Sequence, residues 1–274
     1  SGSEFDARLF ISNYLKRENT ENLFNRFANL NSKILIQLNN IFIDKNSALT
    51  ALDGNILIKE NSISFVKINS KIDQKNDFSL SIKTNSKDEK ITNLFIEEPE
   101  SFIKNYKFIK GFKGGKLSYG SVEKNNEAIS NLKIYDFKVK EVPILAKLLT
   151  LASLQGIADL LTGEGVRFNE FEMKYESTKT STKIKEMFAI GPAISILMDG
   201  YIVKNEVTSL RGTLVPATTI NKTISKIPVI GDLLVGKKVG EGVFGVSFKV
   251  KGPPRDLETT VNPIKTLTPR FITR

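Results

Sequence analysis

Histidine, cysteine and tryptophan are all missing from this chain of 274 residues. Without histidine or cysteine there is no Ser-His-Asp or Cys-His nucleophile pair. Zinc, copper and haem sites lose their usual ligands. No disulfide framework can form, so cysteine usage says nothing of redox compartment. Chemistry is left to carboxylates, Lys, Tyr and Ser/Thr, and no constellation of these stands out, so the expectation is a protein that is not an enzyme, with no cofactor and no metal. Long apolar runs are also scarce. The one stretch approaching a membrane span, residues 143–162, carries Lys147, Gln155, Gly156 and Asp159, which is too polar for a comfortable crossing.

Positive charge is plentiful: 40 Lys and Arg stand against 30 Asp and Glu, a net charge of +10. It is spread evenly, 22 basic and 17 acidic groups in residues 1–140 and 18 and 13 in residues 141–274, or +5 for each part. The last stretch, 218–274, is more lopsided, with 10 basic and 4 acidic groups. A basic, apolar end suits an anionic lipid surface; an ordinary solvated surface accounts for the same charge. Specific nucleic-acid binding is not expected, because arginine is scarce and no aromatic-basic module is recognisable. Ser1 to Glu4 reads as native sequence or as a remnant of cloning, and the chain as part of a longer protein.

Periodicity divides the chain into a helical or mixed lead-in over 1–30, a β segment over 31–140 and a second β region over 141–274 with inserted apolar helices. Short alternating strands dominate. In the clearest, Phe78, Leu80 and Ile82 face one way and Asp77, Ser79, Ser81 and Lys83 the other. Near the C-terminus Phe244, Val246, Phe248 and Val250 alternate with Gly245, Ser247, Lys249 and Lys251. Turn signals fall at Asp53-Gly54-Asn55, Glu60-Asn61, Asn85 to Asp88, Phe112 to Gly115, Asp199-Gly200 and Asn262-Pro263. The acidic run Glu97-Glu98-Pro99-Glu100 reads as a solvated turn. Two short apolar helices are predicted, near 143–162 and 218–235. On the first, Ile144, Leu145, Leu148, Leu149, Leu151 and Ala152 form one arc and Pro143 suits the first turn, with Gly163 as C-cap. Many short strands with few crossover helices predict a mainly β fold: an elongated, twisted antiparallel β-groove, taco-like or sandwich-like.

Several segments, taken in order, resemble one family. They are Val142-Pro143 through Leu161 with Gly163-Glu-Gly-Val166 and Phe168; Gly191-Pro192; Asp199-Gly200; Leu210-Arg-Gly-Thr-Leu-Val-Pro216; Ile227-Pro-Val-Ile-Gly-Asp-Leu-Leu234; Gly240-Glu-Gly-Val-Phe-Gly245; Gly252-Pro; and Val261-Asn-Pro263. The set resembles the C-terminal region of the AsmA-like bacterial envelope proteins, the TamB and YhdP type. The likeness covers about 131–274 well and 5–130 loosely.

The resemblance implies a segment of a periplasmic bridge in the bacterial cell envelope. It would bind or conduct phospholipid between inner and outer membrane through an apolar β-groove and serve outer-membrane homeostasis. The parent protein would be anchored in the inner membrane by a segment outside this chain. The family offers no catalytic residues to carry over. Candidate groove-lining residues are Phe78, Leu80, Ile82, Phe244, Val246, Phe248 and Val250, each of which an ordinary closed core explains as well. Candidates for docking to a membrane or protein are Leu145, Leu148, Leu149, Ala152, Ile227, Ile230, Leu233 and Leu234. The alternative is a structural or assembly module that binds an outer-membrane or periplasmic protein by strand addition or helix docking.

Overall fold

The computed structural model describes residues 2–8, 31–43, 47–103, 110–216, 245–254 and 256–264. The fold is mainly β. Its strands run β1 (Gly2–Asp6), β2 (Ser32–Phe42), β3 (Ala48–Lys59), β4 (Ser62–Ile72), β5 (Asn76–Thr84), β6 (Lys90–Glu97), β7 (Lys110–Lys124), β8 (Glu127–Lys140), β9 (Val166–Ser177), β10 (Ser181–Ile190), β11 (Ile194–Val203), β12 (Val207–Pro216), β13 (Gly245–Gly252) and β14 (Glu258–Ile264). They form a single sheet ordered β1 to β14, each strand beside its neighbours in sequence and the ends not joined into a barrel. The β1–β2 pair is parallel. Three short helices are described: α1 (Glu100–Ile103), α2 (Pro143–Leu151) and α3 (Gln155–Thr162).

The chain divides into two compact units. The first holds residues 1–107, 112–137 and 176–179; the second holds 108–111, 138–175 and 180–274. In the first, tight hairpins set the register. Glu60 and Asn61 adopt φ of 47° and 61° between β3 and β4, and Asn125 and Asn126 adopt 53° and 64° between β7 and β8. Both central residues at positive φ give the turn whose twist matches an antiparallel pair. The core of this unit gathers Ala7, Ile41, Ile43, Leu49, Leu52, Ile72 and Ile96. Phe78 and Phe102 stack at 5.7 Å, which seats α1 at this end of the sheet face.

In the second unit the helices bury one apolar face each. α2 starts at Pro143 and buries Leu145, Leu148 and Leu149; α3 buries Ala158 and Leu161, and the Gly163 N–H donates to the Asp159 carbonyl at 2.8 Å. α2 packs against α3 and β14. The break between the helices falls at Ser153, φ 58°, so Gln155-Gly156 opens α3 instead of interrupting a helix.

Four predicted turns are strand interiors. Asp53-Gly54-Asn55 lies within β3, where Gly54 is paired on both sides and sits between Ile36 and Ile68. Asp199-Gly200 lies within β11, where a Cβ on Gly200 would strike the Ser209 carbonyl oxygen across the β12 pairing, so glycine is required for close approach and not for a hairpin. Asn262-Pro263 continues β14 opposite Ser247 and Val246. Phe112 to Gly115 likewise runs through β7, with Gly114 and Gly115 at φ 68° and 91° distorting the strand. In each case pairing along the sheet outweighs local turn preference. The lead-in expected over 1–30 begins as β1; residues 9–30 and the second predicted helix, 218–235, lie outside the described residues.

Candidate functional site: two faces of the first unit

Pairing in the first unit carries aliphatic side chains across strand after strand on one face. One row reads Ile36, Gly54, Ile68, Leu80, Leu94 and Tyr119 from β2 to β7. The row beside it reads Ile34, Ile56, Val66, Ile82, Thr92 and Ser121. Residues two apart on a strand share a face, so these rows form one continuous surface. Its α1 end is sealed by the Ile41, Leu49, Ile72 and Ile96 core. Away from that end the side chains are sheltered but not sealed: Val66 is buried, Ile56, Ile68, Leu80, Ile82 and Leu94 are half-buried, and Ile34 is 38% exposed.

The chemistry of the surface changes at β6. Thr92 and Ser121 replace the aliphatics of the second row, and a hydroxyl chain follows. The Tyr119 hydroxyl meets Ser130 Oγ at 3.2 Å, and Ser130 Oγ donates to Ser121 Oγ at 3.0 Å. The sheltered aliphatic surface therefore ends in hydroxyl groups.

The turn end of this face is not uniformly basic. Lys59, Lys87 and Lys124 alternate along the chain with Glu60, Asp88 and Glu127, and Lys90 Nζ lies 3.8 Å from Glu123 Oε2. At the opposite end Lys116 pairs with Glu97 at 2.8 Å. That bond, with the Asp77 backbone N–H at 3.2 Å as second cause, holds the Glu97 carboxyl below its ordinary range, and Glu97 raises Lys116 in return.

The reverse face is mixed. Phe65, Lys67 and Asn69 on β4, Ser79, Ser81 and Lys83 on β5, Asn93 and Phe95 on β6, Ser118 and Gly120 on β7, and Asn131 and Lys133 on β8 line a depression of about 500 Å³, and Leu80, Ile82, Leu94 and Tyr119 line it too.

Phe78, Leu80 and Ile82 share the aliphatic face, Phe78 in the packed end and the other two in the open part. Val246, Phe248 and Val250, paired with Leu214, Gly212 and Leu210, are 0%, 2% and 2% exposed inside the second unit. There they line no accessible surface. Phe244 is outside the described residues. Leu145, Leu148 and Leu149 face into the second unit, Ala152 is half-buried at the helix end, and Ile144 and Leu151 are the outward apolar positions of α2. Ile227, Ile230, Leu233 and Leu234 also fall outside the described residues. Sequence reasoning passed over Ile36, Ile56, Ile68 and Leu94 as site residues. Only cross-strand register shows that they meet.

Among the described residues no group of acidic side chains is placed to hold a metal ion, and no helix is long and apolar enough to cross a membrane. Comparison with family models, with curated proteins and with solved structures finds no match.

Proposed function

We propose that the aliphatic face of β2–β7 shelters the acyl chains of phospholipid, and that the chain is a non-catalytic segment of a lipid-conducting bridge in a bacterial envelope. The observation that carries this reading is the unbroken, half-buried aliphatic surface formed by Ile36, Ile56, Ile68, Leu80, Ile82 and Leu94. Contiguous apolar surface of this kind on a protein marks a binding site more often than a packing accident. Each methylene of an acyl chain taken out of water there contributes about 0.8 kcal/mol. The hydroxyls of Thr92, Ser121 and Tyr119 stand where an ester or glycerol group would meet the end of the tails. Movement of a lipid along such a face requires no reaction centre. The ordered Gly, Pro and aliphatic segments that resemble AsmA-like proteins support an envelope setting, with the parent protein held at the inner membrane.

Mass spectrometry of organic extract from the purified protein, beside a matched soluble control, tests the reading. Stoichiometric phospholipid in the wild type, lost in Leu80→Asp, is the expected result. No lipid above control sinks it.

A second reading has its own observation. β1 pairs only with the Leu38–Phe42 part of β2, so Ser32–Gln37 has a strand on one side only among the described residues, with Leu35 66% exposed. That edge suits strand addition by another envelope protein.

A further inference from the structure

The depression on the reverse face shares Leu80, Ile82, Leu94 and Tyr119 with the aliphatic surface, and the rest of its lining has a different and specific composition. Its floor is main chain, because Ser79, Ser81, Ser118 and Gly120 are too small to fill it. Cross-strand pairs place Lys67 beside Ser81, Ser81 beside Asn93, Asn69 beside Ser79, and Phe95 between Ser79 and Ser118. Hydroxyl and amide groups therefore alternate across the floor and can both donate and accept.

Phe65 and Phe95 stand at opposite corners. Four residues along a strand and two strand spacings put them about 16 Å apart. Lys67 and Lys83 lie on adjacent strands about 8 Å apart by the same geometry. Both are exposed, and neither has an ion-pair partner among the described residues. No carboxylate lines the depression. Its volume of about 500 Å³ is that of a small-ligand site.

We propose that this face binds an anionic carbohydrate, a short sugar chain bearing carboxylate or phosphate groups. Ring hydroxyls match the alternating Ser and Asn groups, the C–H faces of pyranose rings stack on Phe65 and Phe95, and the acid groups meet Lys67 and Lys83. A single-stranded nucleic acid also stacks on aromatics beside cations, but it needs a groove of positive charge that follows its backbone. Three lysines, Lys67 and Lys83 unpaired and Lys133 beside them, among six Ser and Asn side chains fit a ligand rich in hydroxyls with few charges.

The test is calorimetric titration of the full chain with an oligogalacturonate, with its neutral methyl ester, and with a single-stranded oligonucleotide. Saturable binding of the acid, at least about tenfold weaker for the ester and for the oligonucleotide, is expected. Lys67→Gln with Lys83→Gln removes two charge-assisted hydrogen bonds and weakens binding about tenfold or more. Both positions are exposed, so the double variant keeps its fold. Phe95→Ala, checked for folding by circular dichroism, weakens it further. Equal binding of acid and ester, preference for the oligonucleotide, or an unaffected double variant overturns the proposal. Ile68→Asp lies on the aliphatic face and outside the lining of the depression; it leaves this titration unchanged, so the result is independent of lipid binding.

Discussion

A single introduced carboxylate separates a sheltered surface from a sealed core, and two alternating strands offer the comparison. Val246 is fully buried, paired between Leu214 and the Pro263 backbone. Val246→Asp forfeits about 1.5–3 kcal/mol of valine burial. It also takes an unpaired carboxylate out of water, a further several kcal/mol even when the group protonates. The sum is at least about 4 kcal/mol, against a total stability of about 5–15 kcal/mol for a domain.

Leu80 is half-buried and its neighbours Ile68 and Leu94 are half-buried too. An aspartate there reaches solvent, so Leu80→Asp costs about 1 kcal/mol, part of one leucine's burial. Hydrogen exchange read strand by strand, with urea titration followed by far-ultraviolet circular dichroism, gives both answers. Val246→Asp is expected to lose protection across β11–β14. Leu80→Asp is expected to keep protection in β4–β6 while its bound lipid falls. A Val246→Asp protein with the wild-type urea midpoint would refute the reasoning, as would collapse of β4–β6 in Leu80→Asp.

Gly212→Ala drives a methyl into the Leu197 carbonyl oxygen and the ring of Phe248, and should lower stability by about 1–3 kcal/mol, read from the urea midpoint. Ser130→Ala breaks the hydroxyl chain to Ser121 and Tyr119 and should cost about 1 kcal/mol in the same assay, with lipid occupancy retained. Because the folded Glu97 carboxyl titrates below its unfolded value, its contribution is present above the ordinary carboxylate pKa and is lost as pH falls through the folded one. Lys116→Met should move the Glu97 titration, followed by NMR, upward; an unmoved titration would show that the ion pair is not its cause. Asp6, held at about 2 chiefly by hydrogen bonds from Arg8, should return toward the ordinary range in Arg8→Ala by the same measurement.

The strands were legible wherever apolar and polar residues alternate. β5, β10, β12 and β13 announce themselves this way, and Pro143 and Gly163 mark the helical insert at both ends. Turn chemistry misled at Asp53-Gly54 and Asp199-Gly200, because a glycine that lets two backbones or a neighbouring side chain approach looks the same in sequence as one that reverses the chain. Pro263 misled for a related reason. On β14, the last strand in the sheet order, a residue that cannot donate is tolerated.

The apolar arc of α2 was visible, but which part of it is covered depends on where β14 and α3 lie. The same limit hid the site. Phe78, Leu80 and Ile82 and Val246, Phe248 and Val250 carry identical alternation, yet one set lies on a half-open face and the other in a sealed interior. Period two reports that a face is apolar, not what stands opposite it. Both faces of β4–β6 depend on register, which a single strand cannot disclose.

The order of the strands has a further meaning for how such a chain is made. A sheet in which each strand lies beside its sequence neighbours has no pairing that must wait for a distant partner. From β2 to β6 the connections are short, so each new strand meets a finished template at the growing edge as soon as it emerges. The step from β12 to β13 spans residues 217–244, where the template must wait longest, although closure entropy rises only slowly with length. A protein ordered this way can be lengthened by adding one more hairpin at an edge without redrawing any existing strand pairing. Its reach is then a matter of counting strands, not of inventing a new fold.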